Sequence, residues 1–266
     1  MPGELSRWRN WIRQHRLAFP LFASQQTTRS GQQLDIRQKS ECRPMFPSEA
    51  KSFQVPQESI RDIAVADISS ERYMLWIDGV GAWQLCIGTQ FLIGGPTMEH
   101  SSADICLMAN LSRKHATLQR NSENWFIQPH QSTVVSGRSV TGPTLLRTGD
   151  AICLAEKVRL GFRIPSVLSG SAVIDFESHH RPPQSVNGII LMTDSVLLGP
   201  RKDHHVCCND WPELVVIYRQ DGQLRCRSKA ALTINNDRVR DSGVLTDGAI
   251  VSGEEFRFRL EKMKST

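Results

Sequence analysis

From residue 73 onward, short apolar segments alternate with turn residues, and this alternation sets the fold class. Residues 73–77, 83–87, 90–93 and 115–120 are examples of apolar segments of strand length. None of the stretches between such segments carries the 3.6-residue apolar period of a long amphipathic helix. Short strands at close, regular spacing are typical of β-sandwiches and β-barrels. The sequence therefore predicts an all-β fold.

Two halves of this region resemble each other segment by segment. The matching pairs keep their order at an offset of about 100 residues, which is the size of one two-sheet sandwich. The pairs are FLIGGP at 91–96 with VLLGPR at 196–201, VSGRSV at 135–140 with INNDRV at 234–239, LRTGDAI at 146–152 with LTDGAI at 245–250, and FRI at 162–164 with FRL at 258–260. We therefore expect two β-sandwiches in tandem, at residues 71–165 and 170–263.

Residues 1–70 have a different character. Between residues 23 and 59 the chain is rich in Gln, Ser, Thr, Arg and Pro and shows no apolar period, which is typical of a flexible polar linker. Ahead of this linker, Leu5, Trp8 and Ile12 recur at helical spacing with arginines between them. We expect a largely disordered arm that begins with a basic amphipathic segment. That segment either docks on a partner or an anionic membrane surface, or lies as a frayed tail against the neighbouring domain.

Charge, hydropathy and cysteine usage exclude several classes of protein. The 32 basic and 27 acidic residues give a net charge of +5 with no basic half, which argues against nucleic acid as a partner. No apolar run approaches the roughly 18 residues of a membrane-spanning helix, and no apolar stretch of signal-peptide length follows the N-terminal arginines. The 7 cysteines form no CxxC pair and lie mostly in apolar runs, as reduced thiols do. We expect a cytoplasmic protein.

Patterns of catalysis and metal binding are also lacking. The sequence contains no GxSxG, GxxxxGKS/T, HExxH or GxGxxG motif, so we expect no enzymatic activity and no cofactor. His204, His205, Cys207 and Cys208 are residue types that suit zinc. Neighbouring side chains on a strand face opposite ways, however, so at most two of these ligands share a face. Two ligands do not close a tetrahedral site, and we predict no metal.

The densest group of polar donors is LSRKHA at residues 111–116, in a loop that enters a strand. A phosphate group brings a charge of about −2 and several acceptor oxygens, so its receptor needs hydroxyl and cationic donors on a rigidly held loop. Ser112, Arg113 and Lys114 supply such donors, and a sandwich can hold the loop that carries them. The sequence therefore predicts a site for an anionic group here.

The order of four motifs resembles the forkhead-associated (FHA) domain, a two-sheet sandwich that binds phosphothreonine peptides on its loops. A strand that ends in Ile-Gly is followed by Leu-Ser-Arg-x-His-Ala, Val-x-Gly-Arg-x-Val and Leu-x-x-Gly-Asp-x-Ile. The resemblance covers residues 71–165, with a weaker echo over 171–262. It implies that Ser112 contacts the phosphate and Arg113 the peptide. It also implies structural roles in the loops and turns, for Gly94, His115, Gly149 and Asp150.

Two positions of the first copy depart from the pattern of the family. The usual Ile-Gly-Arg is Ile93-Gly94-Gly95, so one charged donor is missing. The usual Thr-Asn-Gly-Thr falls on residues 130–133, where Gln131 takes the place of the asparagine and Thr133 that of the final threonine. Loss of a charge-assisted hydrogen bond at a recognition site costs about 1.5–3 kcal/mol. The second copy departs further, because Trp211-Pro212-Glu213-Leu214 replaces the cluster of donors.

These observations lead to one expectation with one alternative. We expect a non-catalytic signalling adaptor whose first sandwich binds a phosphothreonine-containing or acidic protein partner, through Ser112, Arg113, Lys114, Gln131 and Thr133. By resemblance, that partner is phosphorylated by a Ser/Thr kinase. The alternative is a scaffold protein in which both sandwiches have lost phosphopeptide binding and mediate assembly that does not depend on phosphorylation.

Overall fold

The computed structural model describes residues 71–97 and 103–264. The predicted N-terminal arm, residues 1–70, lies outside the described residues. All regular structure in the described part of the chain is β-strand, which confirms the predicted all-β class. Within these residues no helix is long and apolar enough to cross a membrane.

The strands, in chain order, are β1 (Glu71–Ile77), β2 (Gly81–Ile87), β3 (Gln90–Gly94), β4 (Ile105–Cys106), β5 (Ala116–Asn121), β6 (Asn124–Pro129), β7 (Thr133–Val135), β8 (Arg138–Val140), β9 (Thr144–Leu146), β10 (Asp150–Leu154), β11 (Val158–Arg163), β12 (Ala172–Phe176), β13 (Gly188–Met192), β14 (Ser195–Gly199), β15 (Val206–Cys207), β16 (Val215–Gln220), β17 (Gln223–Ser228), β18 (Leu232–Ile234), β19 (Asp237–Val239), β20 (Gly243–Val244), β21 (Ile250–Ser252) and β22 (Arg257–Lys262).

The first 11 of these strands and the last 11 repeat one pairing pattern. In each copy a five-stranded sheet is built in the same order, β4-β3-β5-β6-β9 in the first and β15-β14-β16-β17-β20 in the second. The two-residue turns after β7 and β18 are equivalent too, since Ser136-Gly137 and Asn235-Asn236 all have positive φ. Such turns suit the twist of a tight hairpin and favour Gly and Asn. The two sets of strands therefore share one order of pairing.

The first hairpin of each copy completes the large sheet of the other copy. β1 pairs antiparallel with β22, the last strand of the second copy. In the same way β12 pairs antiparallel with β11, the last strand of the first copy. One 12-stranded sheet results, in the order β19-β18-β21-β22-β1-β2-β13-β12-β11-β10-β7-β8. All described residues belong to one compact unit. The division into residues 71–165 and 170–263 stays a prediction, because these segments exchange their first hairpins.

The centre of the shared sheet is buried on both faces. β2 and β13 run parallel, with Leu85 opposite Ile190 and Cys86 opposite Leu191. Leu85 and Ile190 belong to the core of the second copy, whereas Cys86 and Leu191 belong to the core of the first. Since successive side chains of a strand point to opposite faces, the two five-stranded sheets cover opposite faces of the 12-stranded sheet.

The loops that carry the candidate site lie at one end of the shared sheet, which we call the apical end. β7, β11 and β22 begin at this end, and β12 ends there, as the antiparallel pairings require. Burial alternates along these strands, so that in β11 Leu160 is buried and Arg159 is exposed. The sheets thus give the apical loops a fixed base.

Candidate functional site

Backbone hydrogen bonds hold the loop at residues 107–115 against the end of β3. The amide of Gly95 donates to the carbonyl oxygen of Ser112 over 3.0 Å, and the amide of His115 donates to that of Ile93 over 2.9 Å. The amide of Leu107 donates to the carbonyl oxygen of Gly94 over 2.9 Å. The loop is therefore fixed to the sheet at its beginning, middle and end.

His115 joins this loop to the loop at residues 130–132. Its side chain is 2% exposed, and its Nε2 lies 3.0 Å from the carbonyl oxygen of Ser132. A carbonyl oxygen only accepts, so Nε2 carries the proton and donates. The backbone oxygen of His115 accepts from the amides of both His130 and Gln131. His115 thus connects the two loops through its side chain and its backbone, and the role that the resemblance implies for it stays a prediction.

The three candidate donors, Ser112, Arg113 and Lys114, stand in a row between the partly buried Leu111 and the buried His115, and the side chains of all three are exposed. On the neighbouring loop Gln131 is exposed as well. Thr133 differs from these four, because it is buried and its hydroxyl donates to the carbonyl oxygen of Gln131 over 2.9 Å. Four of the five candidate binding residues thus face solvent at the apical end. Thr133 instead stabilises the loop of Gln131 from inside.

Gly94 and Gly95 let the loop approach β3 very closely. A Cβ atom on Gly94 would lie 2.0 Å from the carbonyl oxygen of Arg113, and one on Gly95 would lie 2.3 Å from that of Leu111. Both distances are far below a van der Waals contact, and both partners are backbone atoms. Gly95 stands where the FHA pattern has an arginine. The loop with the candidate donors occupies the space that any side chain at this position would need.

Replacement of Gly95 by Ala is expected to destabilise the protein by about 1–3 kcal/mol, because the loop at residues 107–115 must shift to admit the Cβ atom. The measurement is the free energy of unfolding in guanidinium chloride. Gly142→Ala is the matched control, since a Cβ at Gly142 meets nothing within 4 Å. Equal stability of the two variants would show that the loop does not press on Gly95.

Gly149 and Asp150 lie at the other end of the sheet, where β10 begins. The carboxylate of Asp150 accepts from the amide of Arg147 and from the hydroxyl of Ser136, each over 2.6 Å. Gly149 has a φ of 93°, which favours glycine. These two residues therefore stabilise a turn and a neighbouring hairpin, at a distance from the exposed donors.

The corresponding end of the second copy is filled with apolar side chains. Trp211 is 4% exposed, and its ring centroid lies 5.0 Å from that of Phe256 and 6.4 Å from that of Phe258. The carboxylate of Glu213 accepts from the amide of Ala230 over 3.0 Å. Arg201 makes two hydrogen bonds to Asp203, at 2.9 and 2.8 Å. The second copy thus replaces exposed donors with a buried indole.

The imidazole rings next to this loop are engaged in the fold. Nδ1 of His204 accepts from the amide of Arg201 over 3.2 Å. Nδ1 of His205 accepts from the amide of Leu197, and its Nε2 lies 3.0 Å from the hydroxyl of Ser169. Both rings therefore brace the backbone. Among the described residues no group of three or more potential metal ligands is found.

His205 makes the stability of the fold sensitive to acid. Burial, and then the nearby charges of Arg163 and His204, lower the pKa of His205 to about 3, against about 6.5 in an unfolded chain. The folded state therefore keeps the ring neutral, and its stability is fully present above pH 6.5 and falls as the pH drops towards 3. Between pH 7 and pH 5 we expect a loss of about 2 kcal/mol from this residue.

Denaturant unfolding at these two pH values measures that loss. His205→Gln removes the titrating group and is expected to flatten the pH dependence between pH 7 and pH 5, although it lowers stability at both. His130→Gln, at an exposed histidine, is the control. An unchanged pH slope in His205→Gln would contradict the assignment.

This arrangement, a two-sheet sandwich that presents polar loops at one end, defines a class of binding module. Residues 91–155 match the family model of the FHA domain. The matched range contains all five candidate binding residues together with His115, Gly149 and Asp150. The first copy therefore contains a region that matches the FHA domain, a protein-interaction module. No curated protein matches the chain.

Several solved structures are similar to the chain. A solved FHA domain studied for phosphothreonine-dependent interactions is 24% identical over 32% of this chain and 88% of that chain, with a TM-score of 0.23. The FHA domain of the CT664 protein from Chlamydia trachomatis is 19% identical over 32% of this chain and 90% of that chain, with a TM-score of 0.24. The N-terminal FHA domain of EssC, a component of the bacterial type VII secretion apparatus, is 12% identical over 73% of this chain and 95% of that chain, with a TM-score of 0.21.

Proposed function

We propose that this chain is a non-catalytic adaptor that binds a phosphothreonine-containing partner at the apical loops of its first copy. The observation that carries the proposal is the row of exposed side chains at Ser112, Arg113 and Lys114, on a loop that backbone bonds and the buried His115 fix in place. A hydroxyl and two cations in a fixed row match the several acceptor oxygens and the charge of a phosphate.

Each residue has a separate role in this proposal. The hydroxyl of Ser112 donates to a phosphate oxygen, and Lys114 adds charge. Arg113 reaches the phosphate or the peptide, and the amide of Gln131 binds the peptide backbone from the adjacent loop. The partner is a protein that a Ser/Thr kinase has phosphorylated, and the encounter takes place in the cytoplasm. Nucleic acid, metal and cofactor have no part in it.

Ser112→Ala is the direct test. Loss of a hydrogen bond to a charged phosphate costs about 1.5–3 kcal/mol, so affinity should fall about 10- to 150-fold. The measurement is calorimetric titration of the whole chain with a degenerate phosphothreonine peptide library. Ser139→Ala, at an exposed serine on β8, is the control and should bind like the wild type. If the wild type does not bind, or if Ser112→Ala binds equally well, the proposal fails.

Assembly that does not depend on phosphorylation is the second candidate. It is favoured by Gly95, which supplies no guanidinium and leaves no room for one, and by the buried Trp211 in the second copy. In that case an unphosphorylated threonine library binds as well as the phosphorylated one. A preference of tenfold or more for phosphothreonine excludes this candidate.

A further inference from the structure

The exchanged hairpins of the two copies have connections of very different length. β1 and β2 are joined by residues 78–80, whereas β12 and β13 are joined by residues 177–187. Because the hairpins are exchanged, the longer connection reaches the apical end of the first copy, the copy that carries Ser112 and Arg113. We call residues 177–187 the long hairpin loop.

Backbone hydrogen bonds place the long hairpin loop beside the candidate site. The amide of Met108, at the start of the loop that carries Ser112, donates to the carbonyl oxygen of Arg181 over 2.8 Å. The amide of Glu177 donates to the carbonyl oxygen of Arg159 over 3.0 Å. The adjacent turn is tied to the site as well, since the amide of Ala155 donates to the oxygen of Ser132 over 3.2 Å. A segment of the second copy is therefore built into the apical end of the first.

The first turn of the long hairpin loop is ordered by its own side chains. The guanidinium of Arg181 lies 4.5 Å from the centre of the Phe176 ring. It also donates to the carbonyl oxygens of Ser178 and His180. The rings of His179 and His180 are 4.0 Å apart. This part of the loop thus presents a defined surface.

An open concavity of about 640 Å³ lies between this surface and the loop that carries Ser112. Its lining includes Asn110, Lys157, Arg159, His179 and His180. Partial burial, and then the electrostatic influence of the neighbouring His179, Lys157 and Arg181, lower the pKa of His180. The positive field that opposes a proton on His180 attracts an anion to the same place.

Two carboxylates, those of Glu156 and Glu177, also border the concavity. The carboxylate of Glu177 is turned along the sheet, because a Cβ on Gly161 would lie 2.6 Å from its Oε1. Glu156 lies on the exposed turn after β10. Two cations and two imidazole rings therefore line the concavity together with two carboxylates, and the carboxylate of Glu177 extends over Gly161 of β11.

We propose that this concavity binds an acidic residue that flanks the phosphothreonine, so that the long hairpin loop of the second copy sets the sequence preference of the first. The inference rests on the proposed function of the site. Carboxylate and phosphate share the chemistry that Lys157 and Arg159 recognise, and an aspartate, a glutamate or a second phosphothreonine can supply it. The apical end of the second copy is itself filled by Trp211. Through the exchange of hairpins, the second copy nevertheless takes part in binding at the first.

The test is a positional scan of phosphothreonine peptides that bind the whole chain, measured by fluorescence anisotropy. Each flanking position carries Ala, Lys, Asp, Glu or phosphothreonine in turn. At one or two adjacent positions, we expect Asp, Glu or phosphothreonine to bind about threefold to tenfold more tightly than Ala. In the double variant K157Q/R159Q this gain should disappear, while affinity for the Ala peptide changes less than twofold. Lys202→Gln, at an exposed lysine in the second copy, is the control.

Two results overturn this inference alone: binding that depends on Ser112 but shows no acidic preference, and an acidic preference that persists in K157Q/R159Q. Absence of binding to every phosphothreonine peptide overturns the proposed function and this inference together. A gain from a second phosphothreonine without a gain from Asp or Glu assigns the concavity to a doubly phosphorylated partner, and the reverse assigns it to an acidic one.

Discussion

A chain that begins at residue 88, and so lacks β1 and β2, is expected to lose the cooperative unfolding transition of the second copy. The deletion removes five buried side chains from the core of the second copy: Tyr73, Leu75, Ile77, Leu85 and Ile87. Truncation of one such side chain to Ala costs about 2–5 kcal/mol, and domains of this kind are stable by about 5–15 kcal/mol in all. The loss therefore exceeds the stability that the second copy has to lose.

Thermal unfolding followed by circular dichroism measures this effect, and a chain that begins at Ile60 is the control. Leu75→Ala is the milder variant, with an expected loss of about 2–5 kcal/mol. Because Leu75 pairs with Leu260 of β22, amide exchange should accelerate in β14, β16 and β22. Acceleration confined to β3, β5 and β6 would mean that the hairpin belongs to the first copy and that no exchange takes place.

Trp211→Ala is expected to destabilise the protein by about 3–5 kcal/mol, the usual cost of a large aromatic residue in a core. The indole is buried against Phe256 and Phe258 at the apical end of the second copy. Denaturant unfolding gives the change in free energy. Trp76→Ala is the matched control, since Trp76 is 42% exposed on β1, and its loss should stay below about 1 kcal/mol.

The result also bears on the second copy as a binding module. If Trp211→Ala left stability unchanged, the indole would be dispensable to the core, and the apical end of the second copy would be open to a ligand. A large loss of stability supports the opposite interpretation. In that case the apical end of the second copy is structural, and only the first copy binds a ligand.

The all-β class could be predicted because the sequence signals for strands and turns are local. Alternation of apolar and polar residues gives the strands, as in β11, and residues that accept positive φ give the turns, as at Ser136-Gly137 and Asn235-Asn236. These signals depend only on neighbours in the sequence. The same local signals recur in the second copy.

The exchange of hairpins was not predicted, because β1 and β12 are both apolar strands and either can extend the edge of either sheet. Sequence pattern does not say which last strand, β11 or β22, receives which hairpin. The sequence does carry one signal of which strands lie at the centre of the shared sheet. Residues 188–192 and 85–87 are apolar without alternation, which is typical of strands buried on both faces, and these strands form the centre of the shared sheet.

The candidate site was predictable only in part, for a similar reason. Ser112, Arg113 and Lys114 are consecutive, so their motif is visible in the sequence, and the structure exposes all three. Lys157 and Arg159 lie more than 40 residues after the motif and approach it through the pairing of β10 with β7. His179 and His180 lie further on and approach it only through the pairing of β12 with β11. The unequal length of the two hairpin connections is the signal that could have indicated His179 and His180.

The most direct test of the central claim is the map of backbone amide shifts when isotope-labelled protein is titrated with a phosphothreonine peptide library. We predict saturable shifts at residues 110–114 and 131–133, at the apical end of the first copy, and none at residues 201–203 or 211–214. The same library without phosphate should leave the first group unshifted. Shifts at the second copy alone, or identical shifts with and without phosphate, would contradict the claim.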